Sequence, residues 1–90
     1  MTVAEQFGLN LARARIAAGY SQEELGVRSS LHRTAVGQIE RGERTPRLDT
    51  VLRLAGSLGL PPSNLLAGLP EWAPGGTLVG RFADKGRDLP

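Results

Sequence analysis

Signals that start and stop helices recur so closely along the first 69 residues that only short helices fit between them. Thr2 with Glu5, and Ser21 with Glu24, each have the spacing of a capping box, which opens a helix. Three stretches with apolar residues at helical spacing each end at a glycine, namely Gly19, Gly42 and Gly59. The sequence therefore predicts an all-α fold, and no strand pattern competes before residue 70.

These start and stop signals predict a compact domain of five helices over residues 1–69. The helices are expected before Gly19, from Ser21 to the RSSL turn, from His32 or Arg33 to Gly42, after Pro46 up to Gly59, and within LPPSNLLAGL. The last of these segments predicts a brief helix with proline in its first turn, where the missing N–H is tolerated, and this helix is expected to supply Leu65 and Leu66 to the core. Because so small a domain buries a small core, well-formed caps and tight helix packing must carry much of its stability.

Composition narrows the functional classes. The chain has 90 residues, no cysteine and one histidine, so a single chain can assemble neither a zinc cluster nor a Cys/His nucleophile pair. We therefore expect neither an enzyme nor a cofactor. No apolar run approaches the roughly 20 residues that span a bilayer, and the N-terminus lacks a signal-peptide pattern. The sequence predicts a cytoplasmic protein that does not enter a membrane.

Positive charge is concentrated in the middle of the chain. Residues 28 to 47 contain five arginines and two glutamates, a local excess of three positive charges, whereas the whole chain carries only +2. An excess of this kind indicates either a nucleic-acid-binding face or a solvated surface, and the spacing of the residues has to decide between them.

The stretch HRTAVGQIERGER, residues 32–44, has two different faces if it is helical. At 100° per residue its few apolar side chains share one side; they are Ala35, Val36 and Ile39. The opposite side carries residues without an acidic neighbour, namely Arg33, Thr34, Gly37, Gln38 and Arg41. Glu40 falls on the packed side, where an unpaired carboxylate is costly. The pattern predicts a helix with one packing face and one hydrogen-bonding face.

The segment YSQEELGVRSSLHRTAVGQIERGERTPRLDTVLRLAGSLGL resembles the phage-repressor and Cro-like (XRE-type) helix-turn-helix family, and the likeness extends over about residues 5 to 69. The diagnostic set is Gln22, Glu23, Leu25, Val36, Ile39, Glu40, Gly42 and Pro46. The resemblance implies a lambda-repressor-like domain in which the helix after the RSSL turn enters the major groove of double-stranded DNA.

Three residues depart from the usual family pattern. Gly26 stands where alanine is usual, which weakens its helix but allows close approach of the next one. Ser30 replaces the usual turn glycine, so we expect either a strained left-handed residue or a different turn geometry. His32 replaces the usual serine or threonine cap, and it is expected either to be a solvent-exposed turn residue or to reach a DNA phosphate.

The family pattern also offers an explanation for Glu40. In relatives the matching glutamate pairs with an arginine of the first helix, which here is Arg15. The phase of Arg15, one turn after Leu11, agrees, and a guanidinium can satisfy a carboxylate with two hydrogen bonds. The alternative is that Glu40 bends outward into solvent.

The resemblance assigns DNA contacts residue by residue. Base contacts are expected from Arg33, Thr34 and Gln38. Backbone contacts are expected from Gln22, His32, Arg41, Arg44 and Arg47. Gly37 either brings the backbone close to the groove or leaves one base pair unread, and Arg44 and Arg47 could instead be ordinary surface charges.

Residues 70–90 are rich in proline and glycine with balanced charge, and they predict a tail that is either flexible or docked. A small hairpin around PGG is one arrangement for it. Since one domain reads few base pairs, we expect a homodimer, joined through an apolar cluster at the end of the domain. That cluster comprises Leu60, Leu65, Leu66, Leu69 and Trp72. The sequence predicts a repressor on a palindromic operator; the alternative is an antitoxin-like adaptor that binds a protein partner through the tail.

Overall fold

The computed structural model describes residues 1–73 and 77–79. Within them lie four α-helices, one 3₁₀ turn and two short strands. In chain order these are α1 (Val3–Ala17), α2 (Gln22–Ser29), α3 (Arg33–Glu40), α4 (Leu48–Ser57), the 3₁₀ turn (Pro62–Leu65), β1 (Glu71–Ala73) and β2 (Thr77–Val79). The predicted all-α class is confirmed, and the four longer helices lie where the sequence predicted them.

The fifth predicted helix is brief, as expected, but it is not an α-helix. It forms a single 3₁₀ turn, closed by hydrogen bonds such as Asn64 N–H to the Pro61 carbonyl at 3.0 Å. Two adjacent prolines supply no N–H donors, and the chain turns at Gly68 with a φ of 76°. Too few residues therefore remain between the prolines and this turn to build i+4 hydrogen bonds.

Both capping boxes that the sequence predicts are formed. The Glu5 N–H donates to Thr2 Oγ1 at 3.1 Å, and the Thr2 N–H donates to the Glu5 carboxylate at 2.8 Å. In the second box the Glu24 N–H donates to Ser21 Oγ at 3.0 Å, and the Ser21 N–H donates to the Glu24 carboxylate at 2.8 Å. Donation from the backbone N–H groups of Thr2 and Ser21 lowers the pKa of Glu5 and of Glu24 below the ordinary value. α1 and α2 therefore begin at the residues that the pattern indicates.

The ends of the helices share one hydrogen-bond pattern. At the end of α2, the Leu31 N–H donates to the Gly26 carbonyl at 2.7 Å and the Ser30 N–H to the Val27 carbonyl at 3.3 Å. These two bonds define a Schellman motif. The other three helices end with the same two bonds around a glycine of positive φ: Gly19, Gly42 and Gly59. Ser30 has φ 57° and ψ 42°, so serine occupies the left-handed position and the turn keeps its usual geometry.

The core lies between α1, α3, α4 and the 3₁₀ turn, with α2 covering one side. Its buried apolar residues are Phe7, Leu11, Leu25, Val36, Ile39, Val51, Leu54, Ala55, Leu65 and Leu69. Leu65 is buried in the core, as expected of the fifth helix. Leu65 and Leu69 were also expected in a dimer-forming cluster, but both are buried within the single chain because a domain this small needs them there. Of that predicted cluster only Trp72 is well exposed, at 64%.

Two glycines permit close contacts between elements. A methyl group at Gly8 of α1 would overlap the carbonyl oxygens of Ile39 and Glu40, so α1 and α3 cross with backbone against backbone. A methyl group at Gly26 would lie 2.6 Å from the Leu31 carbonyl oxygen. The expected close approach between α2 and the start of α3 is thus present, and it depends on this glycine.

The two strands form the small hairpin suggested for the tail. β1 and β2 pair antiparallel, with Trp72 opposite Leu78 and Glu71 opposite Val79. Residues 74–76 and 80–90 lie outside the described part of the chain. The prediction of a tail over residues 70–90, either flexible or docked, falls mostly on these residues. Over residues 1–73 and 77–79, no helix is both long and apolar enough to cross a membrane.

Candidate nucleic-acid interface

The segment from α2 to α3 forms two helices joined by the turn 30–32. Ser29, the last residue of α2, is buried and donates its hydroxyl hydrogen to Ser57 Oγ at 2.9 Å, while the Ser57 hydroxyl donates to the Arg28 carbonyl at 3.0 Å. These bonds attach the end of α2 to α4. This contact was not predicted, because two serines 28 residues apart in the chain give no local signal.

Glu40 lies at the centre of a network that holds α3 against α1 and α2. Its carboxylate accepts from Arg15 Nε at 2.6 Å, from Arg15 Nη2 at 3.0 Å and from Gln22 Nε2 at 2.9 Å. The remaining Arg15 nitrogen, Nη1, donates to the Tyr20 carbonyl at 2.8 Å. The side chains of Arg15 and Glu40 are only 15% and 6% exposed.

The bonds to Glu40 raise the pKa of Arg15 above its ordinary value, so the guanidinium stays charged. Both expected partners therefore meet, and the alternative in which Glu40 bends into solvent does not occur. Gln22, which was expected to contact the DNA backbone, is half-buried and donates one of its two side-chain amide hydrogens to Glu40. Its amide oxygen is left for other donors.

The side chains expected to read bases lie on the outer face of α3. Arg33 and Thr34, in its first turn, are exposed, and Gln38 is half-exposed. The expectation that this face has no acidic neighbour is wrong, because Glu23 of α2 lies 3.5 Å from Arg33 Nη1. The Gln38 amide oxygen accepts from Arg44 Nη1 at 3.3 Å. Arg33 and Gln38 thus have weak, exposed partners in the free protein.

Gly37 is not on the open face where the helical projection placed it. It is buried, and the atoms that cover it belong to Arg41 and Gln22. An angular projection of α3 places Arg41 beside Gly37, one turn later, but it cannot show Gln22, which comes from α2. Of the two roles expected for Gly37, close backbone contact with a groove is therefore obstructed in the free protein.

His32 caps α3 in place of the usual hydroxyl residue. Its Nδ1 accepts from the Thr34 N–H at 3.0 Å, so in the neutral ring the hydrogen resides on Nε2. The imidazole is exposed. Capping consequently leaves Nε2–H as a donor that faces solvent.

Arginines expected at the DNA backbone surround the end of α3, each with a polar partner. Arg41 donates to the Glu43 carboxylate from Nε at 2.8 Å and from Nη2 at 3.2 Å, and this pairing raises the pKa of Arg41 and lowers that of Glu43. Arg47 Nε lies 3.5 Å from Asp49 Oδ1. These pairs are exposed, so each contributes little to stability and is easily exchanged for another anion.

Two helices joined by a tight turn, with an arginine-bearing polar face on the outside of the second, define a helix-turn-helix DNA-binding protein. Comparison with known protein families identifies which family of helix-turn-helix proteins the chain matches. A family model described as Helix-turn-helix, HTH_3, matches residues 11–65.

Relatives of similar length carry the same domain. The chain is 38% identical over 61 residues to control protein C.BamHI of Bacillus amyloliquefaciens, covering 67% of this chain and 75% of that protein. It is 38% identical over 66 residues to control protein C.SmaI of Serratia marcescens, covering 73% and 79%. Among solved structures, the restriction-modification controller protein C.AhdI from Aeromonas hydrophila matches with 42% identity and a TM-score of 0.68, covering 69% of this chain and 94% of that one. The protein belongs to the helix-turn-helix family HTH_3, and it is a DNA-binding transcription regulator.

Proposed function

We propose that the protein is a repressor that binds a palindromic operator as a homodimer and acts by occupying a promoter, without catalysis, in the cytoplasm. The observation that carries the proposal is the outer face of α3, which presents Arg33, Thr34 and Gln38 and where Arg44 of the following loop contacts Gln38. Its relatives include C.AhdI, which is described as a restriction-modification controller. We extend that role to this chain and place its operator in the promoter of such a system.

Three side chains of α3 have the chemistry to distinguish base pairs. Arginine donates two bonds to guanine, glutamine pairs with adenine through its oxygen and amide hydrogen, and the threonine methyl packs on thymine. Gln38 needs its amide oxygen for such a pair, so Arg44 has to release it. Since Arg44 is exposed, a nearby phosphate is a ready alternative partner for it.

Positioning on the backbone is assigned to the residues around this face. Arg41, Arg44 and Arg47 are each assigned to a phosphate, for which Arg44 and Arg47 release their present partners, and His32 donates from Nε2. Gln22, tied to Glu40, lies at the first position of α2. Contacts to phosphate set the register of the domain without reading sequence.

A second copy of the chain supplies the second half-site. One α3 reads only a few base pairs, and half-sites for twofold dimers lie about 34 Å apart. Of the apolar cluster expected at the dimer interface, Trp72 is the exposed member, so we place the interface on the side of the domain that carries β1.

A salt titration against a selected and a scrambled duplex tests the base-reading residues. Arg33→Ala and Gln38→Ala should each relax preference at one or two base pairs per half-site, by about 1–3 kcal/mol, with the fold intact. Arg47→Ala should instead weaken both duplexes alike and make the logarithmic salt slope shallower by about two for a dimer. Arg47 serves better than Arg44 here because Arg44 also contacts Gln38.

Arg13→Ala is the matched control, because it removes the same charge from the exposed side of α1. It should leave the preference for the selected duplex unchanged. If wild type binds both duplexes equally even at low salt, or if the two α3 variants keep the full preference, the assignment of α3 as the recognition helix is wrong.

The alternative function is an antitoxin-like adaptor that binds a protein partner through its tail. The exposure of Trp72 favours keeping it as the second candidate. An adaptor would retain its partner in Arg33→Ala and Gln38→Ala and lose it in Trp72→Ala, whereas the repressor loses operator preference in the first two. The same set of variants therefore separates the two functions.

A further inference from the structure

Gly37 is a glycine in the interior of α3, and the side chain of Arg41, one turn later, lies in the space beside it. A Cβ atom at this position would lie 3.0 Å from Arg41 Nη1 and 3.4 Å from the Gln22 amide oxygen. Glycine weakens a helix relative to alanine. Its presence in so short a helix therefore calls for a compensating role.

The guanidinium of Arg41 lies in the space that Gly37 leaves open. Two of its nitrogens, Nε and Nη2, donate to the Glu43 carboxylate, while Nη1 lies over the Gly37 backbone. Glu43 thus fixes the guanidinium through two hydrogen bonds, and the absence of a side chain at Gly37 leaves room for it. The two contacts together place a positive charge close to Gln22, at the beginning of α2.

A side chain at position 37 would displace Arg41 rather than Gln22. The Gln22 amide is bound to Glu40 within the buried network, and its oxygen would meet the new methyl at an ordinary contact distance. Arg41 Nη1 would be crowded, and it belongs to the end of a flexible side chain that is 58% exposed. An alanine is therefore accommodated by movement of the Arg41 guanidinium alone.

We infer that Gly37 is a positioning residue for DNA binding: by lacking a side chain, it seats the Arg41 guanidinium against α3 beside the start of α2, where it meets a backbone phosphate. This inference rests on the proposed function, because it takes Arg41 as a phosphate contact. It gives Gly37 a task that differs from both roles expected from the sequence, which were close backbone contact with the groove and a base pair left unread.

Gly37→Ala tests the inference, with Gly56→Ala as the matched control. Gly56 is also a helical glycine, in α4, but nothing lies within 4 Å of a Cβ atom built there. Both substitutions should raise the thermal midpoint by about 2–8 °C. Only Gly37→Ala should also weaken binding to the selected and the scrambled duplex alike, by up to about tenfold, and make the salt slope shallower by at most about two for a dimer. A gain in stability with a loss of binding is not expected of a merely structural residue.

Arg41→Ala and the double variant Gly37→Ala/Arg41→Ala complete the cycle. Arg41→Ala should reproduce the weaker binding and the shallower slope, and adding Gly37→Ala should then change binding no further. The inference is overturned if Gly37→Ala binds like wild type, if Arg41→Ala does, or if the two losses add. A thermal midpoint lowered by Gly37→Ala also overturns the inference. The new methyl group would then be crowded by a group that cannot move away, unlike the end of the Arg41 side chain. If wild-type protein binds neither duplex, the proposed function itself has failed.

Discussion

At the scale of single residues, the fold depends on a few side chains that stand in demanding places. Glu40 is a carboxylate that is nearly removed from water, and it is tolerable only because Arg15 and Gln22 provide three hydrogen bonds. Ser30 holds the left-handed position that glycine fills at the ends of the other three α-helices. Each of these residues can be tested by one substitution.

Removal of one partner from the Arg15–Glu40 pair should destabilise the domain strongly. Arg15→Ala or Glu40→Ala leaves a charge in a site with little access to water, which typically costs about 3–5 kcal/mol. The double variant should lose less than the sum of the single losses, because neither charge is then left alone. Chemical denaturation of the three variants measures the coupling, and strictly additive losses would show that the two charges do not depend on each other.

Ser30→Gly should stabilise the domain. A left-handed residue with a side chain carries a penalty of roughly 1–2 kcal/mol, from which the greater chain entropy of glycine in the unfolded state subtracts. We expect a net gain of about 0.5–1 kcal/mol, hence a thermal midpoint higher by about 2–8 °C. Ser29→Gly serves as the contrast, since it removes a buried hydroxyl that bonds to Ser57 and should lower the midpoint. A midpoint unchanged in Ser30→Gly would mean that the serine is not strained.

At the scale of elements, the helices are defined more by their ends than by their middles. α2 and α3 have eight residues each, too few to be stable alone in water, so caps and packing must hold them. A capping box or a glycine stop is a pattern of three or four neighbouring residues. Such ends were therefore readable from the sequence, whereas the 3₁₀ turn was not, since its hydrogen-bond type depends on how Pro61, Pro62 and Gly68 bend the chain.

The capping carboxylates should make stability depend on pH on the acid side. The pKa of Glu5 and that of Glu24 are lower in the folded protein than in the unfolded chain. Their contribution is therefore complete above the unfolded value of about 4.3 and is lost as the pH falls through the lower folded values. The thermal midpoint of wild type should accordingly fall between about pH 5 and pH 3.

A double variant, Glu5→Gln and Glu24→Gln, isolates this contribution. Glutamine can still close a capping box but does not titrate in this range. The midpoint of the variant should drop less than that of wild type over the same pH range. If the two curves run parallel, the capping carboxylates do not account for the acid sensitivity.

At the scale of the whole molecule, the site was less predictable than the fold. Helix phase and family resemblance together predicted that Arg15 would meet Glu40, because both lie on packed faces. No pattern indicated that Glu23 would approach Arg33, ten residues later on another helix, or that Gln22 would cover Gly37. These contacts depend on how two helices are placed side by side, and a projection of one helix carries no such information.

Assembly should be visible in the fluorescence of Trp72, the single tryptophan of the chain. In the monomer its side chain is 64% exposed, so its emission should be close to that of tryptophan in water. If a second copy covers it, emission should shift to the blue as concentration rises, and truncation after Leu69 should weaken the dimer. A water-like emission from a protein that sedimentation shows to be dimeric would place the interface elsewhere.

Leu52 provides the comparison for such a result. It is 53% exposed on α4. Leu52→Glu should leave the dimer intact if the interface lies beside Trp72. Dissociation by this variant, with an unchanged tryptophan signal, would assign the dimer to α4.

The contact at Gly8 has a mechanical consequence. Because α1 and α3 meet there with backbone against backbone, there is no side chain between them whose rotation could let one helix slide past the other. At this contact α3 is therefore fixed in position relative to α1. In the proposed dimer, a mismatch between the spacing of two half-sites and the span of the two recognition helices would then be absorbed elsewhere, by curvature of the duplex or by pivoting at the joint between the two copies.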